Sequence, residues 1–251
     1  MRLEGIHHIT AITGDAPRNV DFYTRVMGLR LVAKTVNQDD PSVYHLFYAS
    51  ETGRPGSELT FFEYPGAVPG RDGSGMVHRI VSRVGTPEAL DFWSGRLGDE
   101  GMSGRVLERV LGARPAADST WELRGQRRGA VLAYDPPPQQ PGYQSAGTVH
   151  HVAWGTTAQE HPRWLDRLRD AGVPSTPIID RYYFHSIYFR EPSGVLFEIA
   201  DDAPGFTVDG PVEELGSRII LPPFLEDRRA EIEARLTPLP DPRAAQRAPS
   251  A

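Results

Sequence analysis

Two hydrophobic rhythms alternate along this chain. HHITAIT (7–13) alternates apolar and polar residues over a short run, as a strand with one buried face does. DAPRNVDFYTRVMGL (15–29) then places Val20, Tyr23, Val26 and Met27 at helical spacing, with Asp15 and Pro17 suited to a helix start and Gly28 to its end. LRLVAKTV, VYHLFYAS and SELTFFEY follow as strands separated by turn residues. Residues 1–70 therefore read as one β-α-β-β-β unit.

The unit recurs. His8, Asp21, Phe22, Tyr23 and Gly28 are echoed by His78, Asp91, Phe92, Trp93 and Gly98. In this second copy, over 76–135, VHRIVSRV reads as the strand, Thr86 and Pro87 open the helix, and RVLERVL, STWELRG and GAVLAYD read as strands. Pro, Gly and Gln crowd residues 136–147, which read as a linker. A third copy over 148–202 runs from VHHVAWGT through the helix HPRWLDRLRDAG to RYYFHSIYFREPSGVLFEIA, two strands around a Pro-Ser-Gly turn. Beyond it, 203–251 reads as a C-terminal extension in which PFLEDRRAEIEARL forms one more helix and PLPDPRAAQRAPSA is disordered. The fold class is α+β, built from three countable βαβββ modules.

Composition narrows the chemistry. No stretch approaches the roughly 18 consecutive apolar residues of a membrane helix, and no basic segment followed by an apolar one opens the chain, so a cytoplasmic protein is expected. The absence of cysteine leaves His, Asp and Glu as the strong metal ligands. A formal charge of −6 without a clustered basic stripe argues against a nucleic-acid partner and for a small-molecule ligand.

Only eight histidines occur in 251 residues, yet two adjacent pairs, His7–His8 and His150–His151, head two similar strands. Side chains at i and i+2 share a strand face. His8 then goes with Thr10 and Ile12, and His151 with Ala153 and Gly155, while His7 and His150 face the other way. In VLFEIA, Val195, Phe197 and Ile199 share one face, leaving Glu198 between Leu196 and Ala200 on the other. A carboxylate there is expensive to bury unless a cation or donors meet it. A five-residue hairpin loop, 191–195, sets Tyr188 across from Glu198; a four-residue loop sets Ile187 there. Two histidines and a carboxylate on neighbouring strands can form one face of a metal's coordination sphere, as in non-haem Fe(II) oxygenases, although Mn(II), Ni(II) or Zn(II) occupy similar shells. Singly, such histidines read as hydrogen-bonded core residues and such a glutamate as an arginine's partner. Their duplication at equivalent strand positions favours a shared site.

The repeats, the first-strand histidine and the glutamate of EPSGVLFEIA resemble the vicinal oxygen chelate superfamily of glyoxalase I, bleomycin and fosfomycin resistance proteins and extradiol dioxygenases. GIHHITAIT, KTVNQDDPSVYHLFYA, AGTVHHVAWGT, DRYYFHSIYFREPSGVLFEIA and ILPPF are most similar to ring-cleaving dioxygenases of hydroquinones. The resemblance implies half-barrel modules and an Fe(II) ion on His8, His151 and Glu198. It also implies that His7, Thr10, His150, Arg181 and Tyr188 line the site, which for His7 and His150 requires a bulge or twist in their strands. His78 and His185 match no ligand role and read as structural. The implied substrates are a hydroquinone or related dihydroxylated aromatic and O2. Such relatives resemble chains of four modules with the middle two paired, whereas one middle module is visible here, so a homodimer through that module is expected. Two alternatives stand beside this reading. One is a glyoxalase-type metal-dependent isomerase or transferase, for which Glu63 is the available fourth ligand. The other is a metal-free protein that sequesters an aromatic ligand.

Overall fold

The structure is a computed structural model that describes residues 2–82, 85–101, 120–124 (backbone only), 128–136 and 138–242. One curled eight-stranded sheet dominates it, its strands ordered 30–37, 40–49, 58–63, 6–13, 149–155, 196–200, 185–190 and 179–180. Its first half holds β1 (Ile6–Thr13), β2 (Arg30–Asn37), β3 (Asp40–Ala49) and β4 (Glu58–Glu63). Its second half holds β7 (Val149–Gly155), β8 (Ile179–Asp180), β9 (His185–Arg190) and β10 (Leu196–Ala200). Each half repeats one pattern: its first strand lies parallel to its last, β1 to β4 and β7 to β10, and the other pairings are antiparallel. The halves meet where β1 runs antiparallel to β7. This is a pair of half-barrels in an α+β fold.

Local sequence explains the helices. Asp15 caps α1 (Ala16–Asp21) by accepting from the Arg18 amide at 3.0 Å. A π-helical turn, Phe22–Val26, continues it, and Gly28 ends the run at φ +64°, a conformation that favours glycine. Val20 and Tyr23 pack beneath it on Leu46, Tyr48 and Phe61. In the second half α3 (His161–Asp170) lays Leu168 and Trp164 against Ile187 and Ile199. Ile199 thus lies on the helix-facing side of β10, and its neighbour Glu198 points into the concave side, as the alternation predicts.

Between the halves, Thr86 caps α2 (Pro87–Asp99), which buries Leu97 and leaves Leu90 and Phe92 exposed. β5 (Thr120–Arg124) and β6 (Gly129–Ala133) form a separate two-stranded sheet. Residues 77–82, expected as a strand, are irregular, and RVLERVL lies outside the described residues. The Pro-rich linker is pinned rather than free, since Arg71 and Tyr143 exchange backbone hydrogen bonds of 2.9 and 2.7 Å.

The C-terminal extension is part of the core. Its expected helix is a 3-10 turn, Pro223–Arg228, running into α4 (Arg229–Glu233). Leu221, Leu225, Ile232 and Leu236 join the cluster under α1, and Leu239, in the segment expected to be disordered, packs against it. Residues 243–251 lie outside the described residues. No helix among the described residues is long and apolar enough to cross a membrane.

Candidate metal centre

The junction of β1 and β7 carries two register shifts, and each falls on the first histidine of a pair. Ile6 pairs with Trp154 and His8 with Ala153, so His7 is an extra residue on β1. Thr10 pairs with His151 and Ala11 with Val149, so His150 is an extra residue on β7. A bulge re-aims the side chain it contains. The parity conflict is resolved this way: both first histidines turn onto the histidines beside them, His7 Nδ1 lying 2.9 Å from His8 Nδ1 and His150 Nδ1 2.8 Å from His151 Nδ1.

Three donor atoms converge on the concave side. His8 Nε2 and His151 Nε2 are 3.3 Å apart, and Glu198 Oε2 lies 3.3 and 2.9 Å from them. All three residues are buried, Glu198 completely. Ser186 donates its hydroxyl to Glu198 Oε1, while Oε2 has no hydrogen-bond donor.

The hydrogen-bond pattern also assigns the tautomers of His7 and His8. The Asp201 carbonyl only accepts, so His7 Nε2, 2.9 Å away, donates to it and His7 Nδ1 keeps a lone pair. His8 Nδ1 then donates to His7, which leaves the His8 Nε2 lone pair aimed at the cluster. Converging lone pairs repel unless a cation sits between them. Two ligands on bonds of about 2.1 Å at right angles lie about 3.0 Å apart, so these separations fit one metal ion held on one face.

Electrostatics keep the set ready to ligate. Burial, then His8 and Arg128, lowers the pKa of His7 to about 3, and burial, then His151, lowers that of His150 to about 4. Burial lowers His151 as well. Burial opposes the charge of Glu198, but a proton on His8 or His151 Nε2, or a cation in its place, holds the carboxyl well below the ordinary range.

The remaining candidates surround this cluster. Thr10 Oγ1 lies 2.9 Å from His151 Nε2. Tyr188 stands directly across from Glu198, as the five-residue loop predicts, with its ring centroid 5.9 Å from that of His151. Arg181 lies over the Tyr188 ring at 5.2 Å and is held by both oxygens of Asp39 at 3.1 and 3.0 Å. One neighbour escaped the sequence reading: His45 on β3, whose Nε2 lies 3.0 Å from Thr60 Oγ1. The signal available for it was its alternation with Phe47 on the concave face, opposite to Tyr44, Leu46 and Tyr48.

Other titratable groups are placed elsewhere. Glu63, the expected fourth ligand of the isomerase reading, accepts from the Ala16 amide at 2.8 Å at the start of α1 and is not among the converging donors. The position equivalent to Glu198 is found from the register. Ala153, two residues after His151, pairs with Glu198, and Thr10, two residues after His8, pairs with Thr60. A threonine therefore stands where a second carboxylate would. His78 pairs with Asp135 at 2.9 Å, and His185 and His161 share the Asp201 carboxylate at 3.2 and 3.4 Å. Glu58 lies 3.6 Å from His7 Nδ1 in a second grouping with His7 and His8, but the Nδ1 atoms there are already bonded to each other.

Fold and site together define a protein of paired half-barrels with two histidines and a glutamate at their junction that could hold a metal ion. The chain belongs to the Glyoxalase/Bleomycin resistance protein/Dioxygenase superfamily, whose family model matches residues 5–106 and 86–199. It is 35% identical to the provisionally named ring-cleaving dioxygenase MhqA of Bacillus subtilis strain 168, over 95% of this chain and 100% of the relative. It is 29% identical to a chlorohydroquinone/hydroquinone 1,2-dioxygenase of Sphingobium indicum, over 92% of this chain and 95% of that one. The crystal structure of a provisionally named dioxygenase from Bacillus subtilis superposes with a TM-score of 0.83 at 31% identity, covering 95% of this chain and 98% of the other. The alignment to MhqA runs over 318 positions against 251 residues here, so the relative carries several tens of internal residues that this chain lacks.

Proposed function

We propose that the chain is an Fe(II)-dependent dioxygenase that opens the ring of a hydroquinone or a related dihydroxylated aromatic, with the metal on His8, His151 and Glu198. The observation that carries this reading is Thr60 at the position equivalent to Glu198. Three protein ligands on one face leave open positions for substrate and O2, whereas a second carboxylate would complete the four-ligand shell of an isomerase. Bound there, Fe(II) supplies Lewis acidity and electrons for the reaction of O2 with an electron-rich ring.

The surrounding residues act on the substrate. Arg181, cationic and stacked on Tyr188, stabilises negative charge on the ionised ring, and the Tyr188 hydroxyl orients it by hydrogen bonding. His7 fixes His8 in the tautomer that presents Nε2, and His150 holds the His151 ring through Nδ1. Phe62 and Phe47 supply an aromatic flank for a flat ring. Protein prepared without oxygen is expected to contain about one iron per chain and to take up O2 on addition of hydroquinone, an activity lost in His8→Ala and Glu198→Ala. A metal-free protein that still binds hydroquinone tightly overturns the proposal.

The same reading extends to assembly. A second copy pairs through residues 76–135, covering the exposed Leu90, Phe92 and Val131 and the β5–β6 sheet, which pairs with no further strand among the described residues. The support is that a two-stranded sheet is marginal in water and that the relative's additional internal residues are missing here. Sedimentation at micromolar concentration is expected to give a dimer; a monomer overturns it.

A further inference from the structure

Four adjacent strands each contribute one side chain to a single hydrogen-bonded row across the sheet. His45 Nε2 on β3 lies 3.0 Å from Thr60 Oγ1 on β4. Thr60 Oγ1 lies 2.7 Å from Thr10 Oγ1 on β1, which lies 2.9 Å from His151 Nε2 on β7. Both threonines are completely buried. Only His45, at the far end, is partly exposed, and its ring is sandwiched between Phe47 and Phe62 at centroid distances of 4.0 and 4.3 Å. A hydroxyl both donates and accepts, so such a row can point its hydrogens in either direction and reverse as a unit.

We propose that His45, Thr60 and Thr10 form a proton relay that carries the proton of a substrate hydroxyl from the metal centre to solvent, which rests on the dioxygenase reading above. A metal on His151 Nε2 takes that partner from Thr10, whose hydroxyl is then free to accept from a substrate hydroxyl. The substrate O–H bond breaks as its proton passes to Thr10 Oγ1. Thr10 passes its own proton to Thr60, and Thr60 passes one to His45 Nε2. The resulting imidazolium releases the proton from Nδ1 to water, and no electrons are exchanged. The resting ring is neutral and has a lone pair to accept with, because burial and the nearby His8 and His151 hold its pKa well below the ordinary value. Glu198 favours a charge on His45, but burial and Arg181 disfavour a lasting one, which makes the imidazolium transient. The side chains act here for a reason the fold supplies: Thr60 fills the position where the other half places Glu198, and a hydroxyl there can conduct where a carboxylate would ligate.

The test uses metal-loaded protein without oxygen and nitrohydroquinone, whose absorbance reports its ionisation. In stopped flow, His45→Ala and Thr60→Val are expected to slow ionisation of the bound ligand on the order of a hundredfold, the scale of a lost proton-transfer group, with the equilibrium extent unchanged. Added imidazole, which fits the slot between Phe47 and Phe62, restores the rate in His45→Ala but not in Thr60→Val. Without metal or substrate, the 15N resonance of His45 Nε2 moves toward that of free imidazole in Thr60→Val. Unchanged ionisation rates in both variants, equal rescue of both by imidazole, or an unmoved His45 resonance overturns the relay alone. Failure of the metal-loaded wild type to bind nitrohydroquinone overturns the relay and the dioxygenase reading together.

Discussion

A single hydroxyl supports the most deeply buried charge in the site. Ser186 donates to Glu198 Oε1, so Ser186→Ala leaves both carboxylate oxygens without a donor and the group unanchored for presenting Oε2 to a metal. Removing such a supporting group typically weakens metal binding about 10- to 100-fold, and competition with a chromophoric chelator measures the change. Wild-type affinity in the variant would show that the serine does not orient the carboxylate. The histidines set a pH window of their own. His7 and His150 have folded-state pKa values of about 3 and about 4, against an ordinary value of 6.5. Between those values the unfolded chain binds more protons than the folded one, so stability is complete above pH 6.5 and falls as the pH drops toward 4. The loss from fully buried His7 is on the order of a few kcal/mol, and that from half-buried His150 is smaller. Glu198 adds its share only below its ordinary range, at the acid end of the same descent. Urea midpoints of the metal-free protein measured from pH 7 to pH 4 should therefore decline steadily, and a flat profile would show that the histidines are charged in the fold.

At the scale of elements, periodicity carried most of the information. Period-two alternation located β1, β9 and β10 and put Glu198 on the face opposite Ile199, because a strand with one packed face cannot slip by one residue without exposing its apolar set. The five-residue loop set Tyr188 opposite Glu198 by the same counting. Parity could not place His7 and His150, since a bulge breaks the period and depends on the partner strand, which local sequence does not encode. His45 was missed for a related reason: its hydrogen bond to Thr60 joins strands whose register is set in three dimensions. The C-terminal extension was under-read because its apolar residues, Leu221, Leu225, Ile232, Leu236 and Leu239, are spread among prolines and charges without a sustained helical period. They nevertheless complete the cluster under α1. Ile232 is 2% exposed, and Ile232→Ala is expected to destabilise the protein by about 2–5 kcal/mol in urea unfolding. A change within about 0.5 kcal/mol, the size usual at the surface, would place α4 outside the cooperative core.

At the scale of the whole molecule, the two halves share one site and neither half holds it alone. His8 comes from the first half, and His151 and Glu198 come from the second. Around them Phe47, Tyr183, Phe184 and Phe206 form a cluster that also spans both halves. A metal held by all three, as proposed, would require the junction to be formed, and by mass action a ligand that binds only the folded state stabilises it. At a free metal concentration about a thousand times Kd the gain is about 4 kcal/mol. For a chain of this length that corresponds to a rise in Tm on the order of 10 °C. Calorimetry of the metal-free protein with and without added Fe(II) under anaerobic conditions should show this rise. It should shrink sharply in His8→Ala and in Glu198→Ala alike, although these residues lie in different halves. If His8→Ala kept the full rise while Glu198→Ala lost it, the metal would be held by the second half alone, and the junction of β1 with β7 would owe its stability to packing rather than to shared ligation.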